Sequence, residues 1–271
     1  MDLVDVHAHL EHKRFEKDLD SVIERFKEAG GKFIIESGVN PATNRVALKI
    51  AEKYDCVKVS FGLYPIDALA QEIKAGESEG FLRSIEEFDV DEELAWIEAH
   101  ADKCVAIGEV GLDYNWKEFQ TDEMREKQKE VFRKVLKLAK KIDKPVVIHS
   151  RKAEEDAIEI LEELGMEKVI MHCFNGKKSL IRRGVENGWS FSVPAVIARL
   201  QHFETLVGIV PLEQLLTETD APYLSPVAGE RNESANVAVT IGKIAEIKGL
   251  DGDEVAEKIF ENTRGLFIFP A

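Results

Sequence analysis

The chain of 271 residues predicts a single α/β domain spanning 1–271, a closed (β/α)8 TIM barrel. Three observations predict it. Short apolar runs of β-forming residues recur eight times, at 2–6, 33–37, 57–61, 104–108, 145–149, 168–172, 189–193 and 215–219, with helix-compatible stretches between them. Repeated strand–helix alternation is the pattern of a parallel sheet covered by helices. Five of the runs stop at side chains able to bind a metal ion, and the mouth of a parallel barrel is where such residues gather. The first run leads into Val6-His7-Ala8-His9, where an open doubly wound sheet would carry a glycine-rich phosphate turn.

The clearest helix covers 122–142, with Val131, Val135, Leu138 and Ile142 on one face and charges on the others. Helices are also expected near 18–29, 41–54, 154–164 and 234–248. The stretch 66–91, with Gly76-Glu77-Ser78-Glu79-Gly80 at its centre, is acidic and irregular. It is read as an insertion after the third strand, on the functional face, because connections beyond about 12–15 residues usually serve as lids or variable insertions.

A formal net charge of -15 argues against a broad basic nucleic-acid surface. Cys56, Cys104 and Cys173 lack CxxC spacing and fall in or beside strands, so they are read as buried, reduced thiols. No window approaches the roughly 18 apolar residues of a membrane span. The start Met1-Asp2-Leu3 enters a strand without a signal-like segment. The expected setting is cytoplasmic, with no membrane and no protein partner implied. Abundant Lys and Glu with rare Gln lean towards a thermophilic source.

His7 and His9, two apart on extended backbone, point to one side and can reach one cation. Glu109 sits between glycines in Ile107-Gly108-Glu109-Val110-Gly111, and its two oxygens can bridge two cations, which an imidazole cannot do. His149 ends Pro145-Val146-Val147-Ile148, and His172 ends Lys168-Val169-Ile170-Met171. Asp220 follows Thr217-Glu218-Thr219. Glu218 shares its face deeper in the barrel and is a candidate for orienting a ligand from behind. His12, His100 and His202 are read as solvent-facing or surface residues. Four imidazoles and two carboxylates exceed what one catalytic zinc takes and suit two divalent ions about 3.5–4 Å apart. Mixed nitrogen and oxygen donors accept Zn, Mn, Co, Ni or Fe, and more weakly Mg.

In combination these motifs resemble the TatD-related metal-dependent deoxyribonucleases, a branch of the amidohydrolase-like barrels. The resemblance covers nearly the whole chain. Asp5-Val6-His7-Ala8-His9-Leu10 is similar to the family's HxH opening, and Gly108-Glu109-Val110-Gly111-Leu112-Asp113-Tyr114 to its GExGLD motif. Gln128, Phe132, Leu138 and Ala139 with Pro145 to Arg151 resemble its helix and fifth strand. His172-Cys173-Phe174-Asn175-Gly176 resembles HCFxG. Thr219-Asp220-Ala221-Pro222-Tyr223-Leu224, Arg231-Asn232-Glu233 and Asn262-Thr263-Arg264 resemble the closing signatures.

The resemblance implies two divalent ions, one held by His7, His9, Glu109 and Asp220, the other by Glu109, His149 and His172, with Glu109 bridging. It implies hydrolysis of DNA phosphodiester bonds at strand ends or in short single strands. Asp220 and Glu109 are the candidate catalytic residues, Asp220 as acceptor of a proton from the attacking water. Arg151 and Arg231, with Lys152, Lys177 and Lys178, are candidates for holding phosphate, and Asn175 and Tyr223 for other substrate contacts. Where the family commonly has GxHP, this chain has Gly62-Leu63-Tyr64-Pro65. Tyr64 thus places a phenol, with an ordinary pKa of about 10, at a substrate-contact position.

A second enzyme class, hydrolysis of a small ester, amide or other phosphoester by an amidohydrolase-type site, is disfavoured. Such sites often use a carboxylated lysine as bridge, and Lys144 falls too early for that. A non-catalytic metal-binding scaffold would not need six converging donors.

Overall fold

The computed structural model describes residues 1–72, 86–117 and 120–268. Its strands are β1 Leu3–Ala8, β2 Gly31–Ser37, β3 Val57–Leu63, β4 Cys104–Asp113, β5 Val146–Arg151, β6 Val169–His172, β7 Ser190–Pro194 and β8 Leu215–Glu218. All neighbours pair in parallel and in chain order. The ring closes between the first and last strands through an Ala8–Ala221 bridge, where His9 N–H donates to Ala221 O at 2.8 Å and Asp220 N–H to His7 O at 2.9 Å. The expected barrel is therefore present as a single domain.

Around it, among the described residues, lie α1 Leu19–Glu28, α2 Pro41–Lys53, α3 Val90–Ala99, α4 Asp122–Lys141, α5 Glu154–Glu163, α6 Lys178–Glu186, α7 Gln201–Ile209, α8 Val237–Lys248 and α9 Gly252–Leu266. Local chemistry sets their starts. Asn40 and Thr43 form a reciprocal capping box with Pro41 in the first turn of α2. Thr121 caps α4 and Asp251 caps α9 through side-chain oxygens. Helices α3, α6 and α7 have only 10, 9 and 9 residues. These three and α9 are not among the expected helices, and length does not separate them, because α1 and α5 also have 10 residues and α9 has 15.

The core has two layers. Phe26, Phe132, Leu161, Ile181 and Ile244 belong to a large cluster between sheet and helices. A separate small cluster holds Val6, Ile35, Val105, Val147, Ile170 and Leu216, closed by Phe267 just after α9. Val147, Ile170 and Leu216 stand two residues before His149, His172 and Glu218, so they share the same strand face and lie directly beneath those polar groups. This inner layer forms an apolar floor for the barrel mouth.

Two expectations need correction. β4 continues to Asp113, well past 108, so Glu109 lies inside a strand and not at its end. A register shift against β5 falls between Ile107 and Val110; such bulges re-aim a side chain. Gly108 permits it, since a Cβ there would sit 2.5 Å from the Val147 Cβ. The stretch after β3 is not irregular throughout. Asp67–Glu72 form a 3-10 turn with Ile66 and Leu69 buried, and α3 already begins at Val90. The centre of that acidic stretch lies outside the described residues. Of the free cysteines, Cys104 is buried, while Cys56 and Cys173 are half-buried. No helix among the described residues is long and apolar enough to cross a membrane.

Candidate metal centre

Five different strands deliver six side chains to one cup at the barrel mouth. β1 shifts register against β2 between Asp5 and Ala8, and both His7 and His9 enter the cup. The β4 shift turns Glu109 inward. His149 and His172 come from β5 and β6, and Asp220 stands two residues beyond β8. Asp220 adopts φ 56°, a left-handed backbone that non-glycine residues rarely take. It is held there by its own N–H bond to His7 O and by Thr219, whose N–H and hydroxyl both donate to the Asp5 carboxylate at 2.9 and 2.6 Å.

The donor atoms converge. His7 Nε2 and His9 Nε2 are 3.2 Å apart. Glu109 Oε2 lies 3.6 and 3.5 Å from them, and Asp220 Oδ1 lies 3.7 and 3.4 Å from them. Metal–nitrogen bonds near 2.1 Å in a tetrahedral shell place ligand atoms about 3.4 Å apart, so these four atoms match the spacing of one such shell. The other Glu109 oxygen faces the opposite way, with Oε1 2.7 Å from His149 Nδ1 and 3.9 Å from His172 Nε2. The carboxylate therefore stands between two groups of donors. The His7 and His172 rings stack at 3.8 Å and complete the cup. Its side chains are deeply buried; the two most open are Asp220 at 18% and His149 at 14% exposed.

Each histidine is fixed from behind by its second nitrogen. His7 Nδ1 meets Ser37 Oγ at 3.1 Å, and His9 Nδ1 meets Ser37 O at 2.9 Å. His149 Nε2 meets Asp113 Oδ2 at 3.1 Å, and His172 Nδ1 meets Glu218 Oε2 at 2.7 Å. Such partners set ring orientation and tautomer for metal ligands. Glu218 itself accepts from Cys173 N–H and Ser192 Oγ–H, in keeping with the orienting role expected for it. Asp113 and Ser37 escaped the sequence reading. Asp113 stood inside the GExGLD-like run as its only signal, and Ser37 had none. Glu36 was also missed; it accepts the Leu10 and Glu11 N–H groups and fixes the turn after His9.

The cup's charges fit a cation. Burial by itself would raise the Glu109 carboxyl, but bonds from His149, His7 and His9 outweigh it and hold it well below the usual range. Asp220 is likewise lowered, burial being overcome by His9 and the neighbouring imidazoles. Burial opposes charge on His149, yet Asp113 and Glu109 lift it to about 9. His172 is raised against burial by Glu218. His7 is lowered by burial and by His172. Two buried, ionised carboxylates need positive charge beside them. Imidazolium supplies it in the metal-free chain, and divalent ions are the alternative supply. Replacing Glu218 by Gln keeps the shape but removes the charge behind His172, so we expect Mn²⁺ affinity to fall about 10–100-fold. Equilibrium dialysis reads this, and an unchanged affinity would contradict it.

The remaining candidates divide. Arg151 and Asn175 are exposed, on the ends of β5 and the loop after β6, and Tyr223 is half-exposed with its ring edge-on to His9 and His12 at 6.4 and 5.5 Å. Among the described residues Arg151, Lys152, Lys177 and Lys178 have no ion-pair partner. Arg231 is placed otherwise than expected. Its guanidinium forms a two-pronged pair with Asp18 at 2.7 and 2.6 Å, donates to Arg14 O and lies over Phe15. It braces the loop after β8 against the segment before α1 and is already engaged. Tyr64 donates to Asp113 Oδ2 at 2.8 Å, behind His149. His12 is half-buried, its Nδ1 accepting from Arg14 N–H. His202 is half-buried and bonds Phe174 O at 3.0 Å, and His100 stacks on Trp96, so neither is a plain surface residue.

Comparisons with known proteins give the chain's family and fold. The chain is 35% identical over 266 residues to human "Deoxyribonuclease TATDN3", covering 98% of this chain and 94% of that one. It is 36% identical over 274 residues to the Bacillus subtilis "Uncharacterized metal-dependent hydrolase YabD", covering 98% of each. The crystal structure of YjjV, a TatD homologue from Escherichia coli K12, superposes with a TM-score of 0.85 at 27% identity, covering 99% of this chain and 98% of that one. The profile described as TatD related DNase matches residues 4–268, and the chain belongs to that family.

Proposed function

We propose that this TatD-related hydrolase cleaves phosphodiester bonds of DNA at strand ends or in short single strands, using two divalent ions. His7, His9, Glu109 and Asp220 hold one ion, and Glu109, His149 and His172 hold the other. The observation that carries the reading is Glu109, whose two oxygens face different histidine pairs. When bound, the ions lower the pKa of water towards neutrality and offset charge on the phosphoryl oxygens.

The chain's own groups do the rest. Asp220 is the most open of the six and accepts the proton of the attacking water at its carboxylate. Arg151, with Lys152, Lys177 and Lys178, holds the phosphates that flank the scissile one. Asn175 and Tyr223 line the mouth for sugar and base. The cup is recessed, so a flexible strand end reaches it more readily than the backbone of a duplex.

Protein freed of metal and given Mn²⁺ or Mg²⁺ with labelled oligonucleotides tests this. Cleavage of single strands that returns only with metal supports it. Turnover of a panel of small esters and amides with no oligonucleotide cleavage would favour the amidohydrolase-type reading. A net charge of -15 leaves only a short basic track. With two or three phosphates held, log affinity should fall against log salt with a slope of about -1.4 to -2. A slope several times steeper would contradict so short a contact.

A further inference from the structure

We propose that Tyr64 is a positioning residue: its hydroxyl locks the Asp113 carboxylate so that His149 can present only Nδ1 to the Glu109–His149–His172 half of the cup. The inference rests on the two-ion reading above.

Asp113 is held at every polar atom that matters. Gln128 on α4 exchanges two bonds with its backbone, Asp113 N–H donating to Gln128 Oε1 and Gln128 Nε2–H donating to Asp113 O, both at 2.9 Å. Asn115 N–H donates to Oδ1 at 2.8 Å. Oδ2 is then left for two donors, Tyr64 O–H at 2.8 Å and His149 Nε2–H at 3.1 Å. The carboxylate is fully buried, so water does not replace either one. The Tyr64 ring stands edge-on to the His149 ring, centroids 4.8 Å apart, and its hydroxyl lies 3.4 Å from His149 Nε2.

Without the hydroxyl, Oδ2 loses one of its two anchors and the carboxylate can turn about its Asn115 contact. The imidazole then loses the partner that selects its tautomer, and ligand histidines depend on such partners for orientation and basicity. The other half of the cup is supported differently, by Ser37 behind both His7 and His9, so it should not respond. Tyr64 therefore acts through Asp113 and His149, not on substrate.

Tyr64→Phe keeps the ring and removes only the hydroxyl. Metal-free wild type and variant are titrated calorimetrically with Mn²⁺. Zinc-loaded samples labelled with ¹⁵N-histidine are then examined for the His149 Nε2–H proton. Two binding steps are expected in wild type. In the variant one step weakens about tenfold, the other is unchanged, and the Nε2–H proton exchanges at least tenfold faster. If wild type itself takes fewer than two ions, the two-ion reading falls and this inference with it. If wild type takes two and the variant matches it in both measurements, this inference alone falls. Equal weakening of both steps would also overturn it, because that would mark a general packing defect.

Discussion

Glu109→Gln should lower metal-dependent hydrolysis by about 10³-fold in kcat/KM, the scale of removing a central electrostatic group from an active site. The side chains are nearly isosteric, so packing in the buried strand is kept. The chemistry is not. A glutamine offers one oxygen and an NH₂ group that only donates, while both glutamate oxygens face histidine nitrogens, within 2.7 Å on one side and 3.5–3.6 Å on the other. Whichever way the amide turns, one half of the cup meets N–H in place of an anionic oxygen. Bound metal, measured by elemental analysis, should fall from two ions per chain to one or fewer while the far-ultraviolet circular dichroism stays unchanged. A variant that keeps a tenth of the activity with two ions bound would refute the bridging role.

Loading the cup with metal should raise the thermal midpoint by about 5–10 °C for one ion at 100 times its Kd, because that occupancy is worth about 2.7 kcal/mol and each 1 kcal/mol moves a domain of this size by about 2–4 °C. The increment should grow with pH. In the metal-free chain His149 is raised from 6.5 to about 9 by Asp113 and Glu109 against burial. Its contribution to stability is thus fully present below about pH 6.5 and is lost as pH rises through about 9. Metal binding requires the proton to leave Nδ1. Affinity of that half of the cup therefore rises by up to about tenfold per pH unit between 7 and 9. Both statements describe the same proton, so at fixed free Mn²⁺ the gap between Mn²⁺-loaded and chelator-treated protein widens from pH 6 to 9. Differential scanning calorimetry across that range reads it, and a gap that is constant or narrows would contradict the assignment of His149.

Much of this was legible before any coordinates. The apolar runs ending at His149 and His172 needed only strand periodicity, because two neighbouring strands that stop at the same kind of donor imply one shared mouth. The pair His7-Ala8-His9 and the flexible glycines around Glu109 spoke through local chemistry. Glu218 could be placed behind Asp220 by counting two residues along a strand. The bulge in β4 was not legible, since the same glycine–glutamate–valine–glycine run suits a strand end as well as a shift within a strand. Asp113 depended on that bulge for its place behind His149. Arg231 misled because a cation near an expected phosphate site looks the same whether it faces substrate or Asp18, which is 213 residues away in sequence.

The order of residue types along the chain thus determined the barrel, the six donors and the likeness to a family of nucleases, because periodicity and motif spacing are local properties. Only the tertiary structure decided which oxygen of Glu109 faces which histidine, which nitrogen of each imidazole is tied back, and that Tyr64 leans on Asp113. Those choices are made by hydrogen bonds between strands and loops distant in sequence, whose distances and directions arise only when the ring of strands closes.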